Sequence, residues 1–316
     1  MESGSHAIVI TLSKIHIQYC QALIGSLKYY QVQLPIIILK DGSFKTNTLN
    51  QTENVTILES AEVNKCHNYN LFGLLNKINI IFLERLGLKF DFYIHMDADS
   101  IITSPSFVSN LICKEEQFCI LQGKYLDYTD KQQERIFDNF AFSPDDFKTK
   151  NFSLSTLFYF SSGHFKIHRS LFNYFELFLK TYRAELKKNF SKDTRFKFGD
   201  QGFFNFVINQ LAQQNKIDVC LMDSGIYGRS LPTEFPKLNL YNVVNKQETG
   251  VGFVHYTGPS RKIGIKSHHF GDILYFFLNY FFRKQPWLFH LSKSYTYATA
   301  YYNRYLKKIK LKLKFN

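Results

Sequence analysis

Short apolar runs alternate with longer segments in which apolar residues recur every three or four positions, and this alternation opens the chain. Ala7 to Leu12 reads as a β-strand, and after a polar turn Tyr19, Leu23, Ile24 and Leu27 follow at helical spacing. Ile36 to Leu39 predicts a second buried strand, ended by Lys40-Asp41-Gly42-Ser43, and Val55 to Leu58 a third. From Leu71 to Leu86 the residues Leu71, Leu74, Leu75, Ile78, Ile81, Phe82 and Leu86 form one face of a helix that Gly87 closes, with Lys77 off that face. Strand and helix in turn imply an α/β fold with a mostly parallel sheet flanked by helices.

The pattern changes character at Phe92-Tyr93-Ile94-His95-Met96-Asp97-Ala98-Asp99, an apolar strand that ends in two carboxylates. Residues 124 to 155 are polar, charged and aromatic without a clear period and read as an insertion or lid. Leu157 to Phe160 predicts a strand running into Ser161-Ser162-Gly163-His164, where the glycine serves either a β-bulge or a close backbone approach. A long amphipathic helix is expected from about Arg169 to Lys188. A further helix carries Phe203, Phe206, Val207 and Leu211, with Asp200 placed to cap it. Ile217 to Met222 and Val251 to Tyr256 complete the strands, the last bringing His255 to a strand end before Thr257-Gly258-Pro259-Ser260-Arg261-Lys262.

Composition narrows the classes. The 316 residues, 45% of them hydrophobic, suffice for one large globular domain or for one domain plus an appendage. The net charge is +13, yet no acidic residue follows Asp272, whereas Arg283, Lys284, Lys293, Arg304, Lys307, Lys308, Lys310, Lys312 and Lys314 all do. The excess therefore sits in a basic tail on a nearly balanced body, which argues against a nucleic-acid-binding body. Five cysteines without a C-x-x-C spacing suggest neither a disulfide framework nor a zinc site, and a reducing compartment is expected. The opening residues 1–6 are polar, are left outside the fold, and do not resemble a signal peptide.

In an open α/β sheet, ligands bind outside the carboxyl ends of the strands. Asp97 and Asp99 reach such an end one residue apart, a spacing that can hold a hard divalent ion, Mn2+ or Mg2+, by oxygen and leave positions for a phosphate. The alternative is that the pair is a chance Asp-x-Asp. His255 supplies a nitrogen at another strand end, and Lys77, Arg261 and Lys262 supply cations for a diphosphate.

Four motifs in order, Asp97-Ala98-Asp99, Ser161-Ser162-Gly163, Asp200-Gln201-x-x-x-Asn205 and His255-x-x-Gly258-x-x-Arg261, resemble the GT-A fold glycosyltransferases of the retaining glycogenin and bacterial lipopolysaccharide galactosyltransferase type. The resemblance spans roughly residues 7–265. It implies a Rossmann-like nucleotide-binding GT-A domain in which Asp97, Asp99 and His255 hold Mn2+. It also implies that Thr11 and its neighbour Leu12 receive the uridine. Lys77, Ala98, Ser162, Gly163, Gly258, Arg261 and Lys262 would face the donor, and Asp200 and Gln201 would lie beside the anomeric carbon. Arg261 stands where that type usually has Lys, and Gly202 replaces a usual second acid.

The implied activity is transfer of a hexose from UDP-glucose or UDP-galactose to a glycan or lipid-linked acceptor, with retention, in polysaccharide or lipopolysaccharide assembly. Asp200 as the general base of an inverting transferase is the first alternative. A non-catalytic basic-tailed protein that binds a membrane or nucleic acid is the second. Residues 266–316 form a basic, aromatic segment. Ile273 to Phe289 is rich in Phe and Tyr, and Lys308, Lys310, Lys312 and Lys314 alternate along the end. Such a segment predicts an anchor on anionic lipid and a peripheral place on the cytoplasmic membrane face, the alternatives being a solubilising tail or a nucleic-acid contact.

Overall fold

A computed structural model describes residues 4–50, 52–125, 157–188, 200–256 and 269–283. Its strands are β1 His6–Ser13, β2 Ile36–Asp41, β3 Val55–Glu59, β4 Phe92–Asp97, β5 Ser100–Ile102, β6 Phe118–Ile120, β7 Gly123–Tyr125, β8 Phe158–Phe160, β9 His164–His168, β10 Val219–Leu221, β11 Gly225–Tyr227 and β12 Phe253–His255. Its α-helices are α1 Ile17–Tyr29, α2 Asn47–Asn50, α3 Ser60–Lys65, α4 Phe107–Ile112, α5 Phe172–Lys188, α6 Asp200–Gln213, α7 Leu240–Val244 and α8 Gly271–Phe281. The chain forms two compact units. The first joins the residues up to Ile15 with 33–98 and 108–225, and the second joins 16–32, 99–107 and 226 onward. The stretch expected as one domain over 7–265 thus holds parts of both, and one of the crossings between them falls between Ala98 and Asp99.

The first unit is built on a seven-stranded sheet in the order β10-β6-β9-β4-β1-β2-β3. β1 pairs in parallel with β2 and β4, β2 with β3, and β6 with β10, while β9 runs antiparallel to β4 and β6. This is the expected mostly parallel α/β arrangement. Ala7, Val9, Ile37, Leu39, Tyr93, Phe118, Ile120, Phe165 and Ile167 line one face and share a core with Phe203, Phe204, Phe206 and Val207 of α6. Two expectations are corrected. The helix read over 71–86 is a 3-10 helix, Gly73–Leu86. Its three-residue turn puts Leu75, Ile78 and Ile81 on one edge, and burial also takes in Ile80 and Leu83. Gly87 ends it at φ 81°, with Gly87 N–H bonded to Glu84 O and Leu88 N–H to Leu83 O. The strand read as buried over 217–222 is β10, at the sheet edge and only half-buried.

The second unit has the sheet β11-β12-β5 and a core of its own. Its main helix pair is α1 and α8. Ile273, Leu274, Phe277 and Leu278 of α8 are buried in the core with Tyr19 and Ala22 of α1, and a Cβ on Gly25 would stand 2.2 Å from the carbonyl oxygen of Phe277. The start of the segment expected as an interfacial anchor is therefore a core helix. An apolar helix buries more surface against the small-residue face of α1 than in a solvated tail. Residues 284–316 and the lid expected at 124–155, except its first two residues in β7, lie outside the described residues. No described helix is long and apolar enough to cross a membrane.

Candidate active site

The first unit gathers its polar chemistry where β1 and β4 end. Register pairs Thr11 with Asp97, so the strand that carries the first aspartate lies beside the one that carries the expected uridine contact. Lys77 arrives there from the 3-10 helix. Its neighbour Asn76 ties that helix to the sheet by donating to Leu39 O at 3.1 Å, and accepts from the Ser60 hydroxyl at 2.7 Å.

Lys77 is the hub of this group in the first unit. Its Nζ lies 3.0 Å from Asp97 Oδ1, 3.2 Å from Asp97 Oδ2 and 3.0 Å from Asp200 Oδ2. Burial works against the ammonium charge, but the Asp200 and Asp97 carboxylates outweigh it and hold Lys77 above the usual lysine range. Asp200 also accepts from the Ser162 hydroxyl at 2.6 Å. Burial pushes its carboxyl up, against the opposing pull of Lys77 and Ser162. Asp200 is thus engaged with a cation and a hydroxyl from other elements, beyond the capping role its sequence position suggested.

Gly163 resolves the choice between bulge and close approach. A Cβ there would meet Asp97 Oδ2 at 2.4 Å and Asp97 Cγ at 2.9 Å, so only glycine lets the β8–β9 turn pass the carboxylate. Its carbonyl accepts from the Asp97 N–H at 2.8 Å and lies 3.0 Å from His95 Nδ1. A carbonyl only accepts, so Nδ1 carries the proton, and His95 Nε2, 3.3 Å from Thr11 Oγ1, accepts from that hydroxyl. Burial drives the His95 pKa down to about 3, which fixes a neutral ring that ties Thr11 to the turn holding Asp97. Sequence reading passed over His95. The signal was a polar residue two positions before Asp97, hence on the same strand face.

Gln201 donates its side-chain amide to the Tyr159 hydroxyl. Asn205 is structural: its Oδ1 accepts from Phe160 N–H at 2.9 Å and its Nδ2 donates to Phe160 O at 2.8 Å. Asn209, one turn on and not foreseen, repeats the clamp on Phe158 at 3.0 and 2.9 Å. Together they satisfy the open edge of β8 and set the start of α6, and so Asp200, against the Ser162 turn. Leu12 and Ala98 bury their side chains, which leaves backbone as what they can offer a ligand.

In the second unit Asp99 and His255 lie together. β12 and β5 pair antiparallel with His255 opposite Ser100, and Tyr256 N–H donates to Asp99 O at 2.8 Å. Asp99 Oδ1 lies 3.4 Å from His255 Nε2, and its Oδ2 lies 3.9 Å from His16 Nε2. The Asp99 side chain is 3% exposed. Tyr227 stacks on the His255 ring at 5.9 Å. His16 was not foreseen, although it opens α1 directly after β1, where a ligand-binding loop is expected. Gly258, Arg261 and Lys262 lie outside the described residues.

No protein-family model and no curated protein matches the chain. Solved structures do. The chain is similar to the apo bifunctional glycosyltransferase WbbM, with TM-score 0.54 and 17% identity over 87% of this chain and 50% of that one. It is also similar to the galactosyltransferase LgtC in complex with donor and acceptor sugar analogs, with TM-score 0.53 and 12% identity over 86% of this chain and 95% of that one. An active-site mutant of LgtC gives TM-score 0.52 at 13% identity, covering 87% of this chain and 94% of the other. The chain therefore spans half the length of WbbM and nearly the whole of LgtC. At these identities the likeness shows the fold, and that fold is GT-A.

Proposed function

We propose that this chain is a metal-dependent glycosyltransferase that moves a hexose from a UDP-sugar, UDP-glucose or UDP-galactose, to a glycan or lipid-linked acceptor with retention of configuration. The observation that carries the reading is the Lys77 bridge between Asp97 and the buried Asp200 at the carboxyl ends of a GT-A sheet. The solved LgtC complex, with a donor and an acceptor sugar analog in the same fold, supports the substrate class.

Two carboxylates and an imidazole from Asp97, Asp99 and His255 suit Mn2+ or Mg2+, and a buried Asp99 carboxylate facing the His255 ring within one unit is consistent with that use. Bound there, the ion would neutralise charge that develops on the departing diphosphate. The remaining work falls to the chain. Thr11, oriented by neutral His95, presents its hydroxyl and adjoining backbone toward the nucleoside. Arg261 and Lys262 add cations for the diphosphate. Lys77 fixes Asp97 and Asp200 in place through its contacts with both carboxylates. Asp200, and Gln201 beside Tyr159, offer oxygen to the positive character that grows at the anomeric carbon.

Asp200 already accepts from Lys77 and Ser162, which disfavours it as the free general base of an inverting enzyme and supports acceptor attack on the leaving-group face. The lysine-rich alternation at 308–314 supports a peripheral place on an anionic cytoplasmic membrane face.

Thermal unfolding with UDP, with and without Mn2+, tests the reading on the wild type and on Asp99→Asn. Ligand at about 100 times its Kd adds about 2.7 kcal/mol, a shift of several degrees. A Mn2+-dependent shift that Asp99→Asn abolishes is expected. No shift with any nucleoside diphosphate removes the donor site, and a product of inverted anomeric configuration removes the retaining mechanism.

A further inference from the structure

Away from that site, strands distant in sequence bring a second set of metal-ligating side chains together. In the first unit β6 and β10 run parallel with Cys119 opposite Cys220, and β9 sets Lys166 opposite Cys119 on the other side. Residues directly opposite in neighbouring strands share a sheet face, so Lys166, Cys119 and Cys220 form one row. Glu116 folds back onto that row from the loop before β6. One donor atom each from Glu116, Cys119 and Cys220 lies within 4.8 Å of the others. Cys119 is fully buried, whereas Glu116 and Cys220 are half-exposed at the sheet edge, so the cluster is reachable from solvent.

We propose that Glu116, Cys119 and Cys220 form a binding site for a thiophilic divalent cation of the zinc class, separate from the sugar-transfer site. Two thiolates and a carboxylate select a borderline or soft ion over Mg2+ or Mn2+, and leave the fourth tetrahedral position to water.

Charge supports the assignment. Two thiolates, a carboxylate and a divalent ion sum to one negative charge, and Lys166 beside them carries one positive. That ammonium is held by Leu111 O at 3.3 Å and by Lys114 O, near the end of α4, and lies 4.2 Å from the centre of the Phe92 ring. Thiols bind such an ion as thiolates, so binding releases their protons to solvent as the two metal–sulfur bonds form, and affinity rises with pH. Because β10 is an edge strand, the ion would tie it to β6.

Cd2+ titration of the fully reduced protein tests this, read by the thiolate-to-cadmium charge-transfer band and by thermal unfolding. One equivalent of Cd2+ should develop the band and raise the unfolding temperature. Cys119→Ser and Cys220→Ser should lose both responses, Glu116→Gln should weaken them, and Cys66→Ser and Asp99→Asn should keep them. Cys119 is buried, so Cys220→Ser, on the half-exposed edge strand, carries the test if Cys119→Ser fails to fold. Absence of the band in reduced wild type, its survival in Cys220→Ser, or its loss in Asp99→Asn overturns the proposal.

Discussion

Replacing Lys77 by Met removes the only charge change needed to expose the electrostatics of the site while keeping the side chain's bulk. In the wild type the ammonium sits 3.0 Å from Asp97 Oδ1 and 3.0 Å from Asp200 Oδ2, with side chains 15%, 16% and 4% exposed respectively. Each contact is worth about 5 kcal/mol gross at an effective dielectric of about 20, largely cancelled by desolvation. Without Lys77, Asp97 can rehydrate, but Asp200 is left as a buried carboxylate that burial already pushes up. It escapes by taking a proton. For a carboxyl that ionises near 3.8 when unfolded, holding that proton at pH 7 costs about 4 kcal/mol, which caps the loss and falls by about 1.4 kcal/mol per pH unit on acidification.

Lys77→Met should therefore lose about 3–4 kcal/mol of stability at pH 7 and much less at pH 5. The double variant Lys77→Met/Asp200→Asn should recover most of the loss. Denaturant unfolding of the four proteins of the cycle at both pH values measures this. A loss under about 0.5 kcal/mol at pH 7, or one that does not change with pH, would refute the reasoning, since a packing defect carries no proton.

Three further outcomes are expected. Gly163→Ala should cut transferase turnover and Mn2+ affinity while the fold survives, because the new Cβ would press 2.4 Å from the Asp97 carboxylate; unchanged activity would show that carboxylate free to move. His95 has a folded pKa near 3 against an ordinary 6.5, so its contribution is complete above pH 6.5 and is lost as pH falls toward 3. His95→Asn should accordingly flatten stability against pH across that window in denaturant titrations. Gly25→Ala should cost about 1–3 kcal/mol in thermal unfolding, because its Cβ would meet the Phe277 carbonyl rather than a movable side chain.

Periodicity and punctuation along the chain determined the order of strands and helices in the first unit, the carboxylates at the end of β4, the stop at Gly87 and the glycine at 163. Those features are local: a strand of period two, a left-handed residue and a turn each carry their signal in neighbouring residues. What only the tertiary structure decided depends on residues far apart in the chain. Lys77 read as a lysine off an apolar face and a cation for a diphosphate, but that Asp200, more than a hundred residues on, shares it with Asp97 is set only by the fold. Asn205 looked like part of a catalytic motif until β8 was laid along α6. Cys119 and Cys220 had no spacing to announce them, because register between parallel strands sets which side chains meet, and no short motif encodes it. The apolar run at 273–282 was ambiguous for the same reason. An apolar helix has equal cause to seek a membrane or a partner helix, and Gly25 on α1, where Phe277 can come close, decided for the helix.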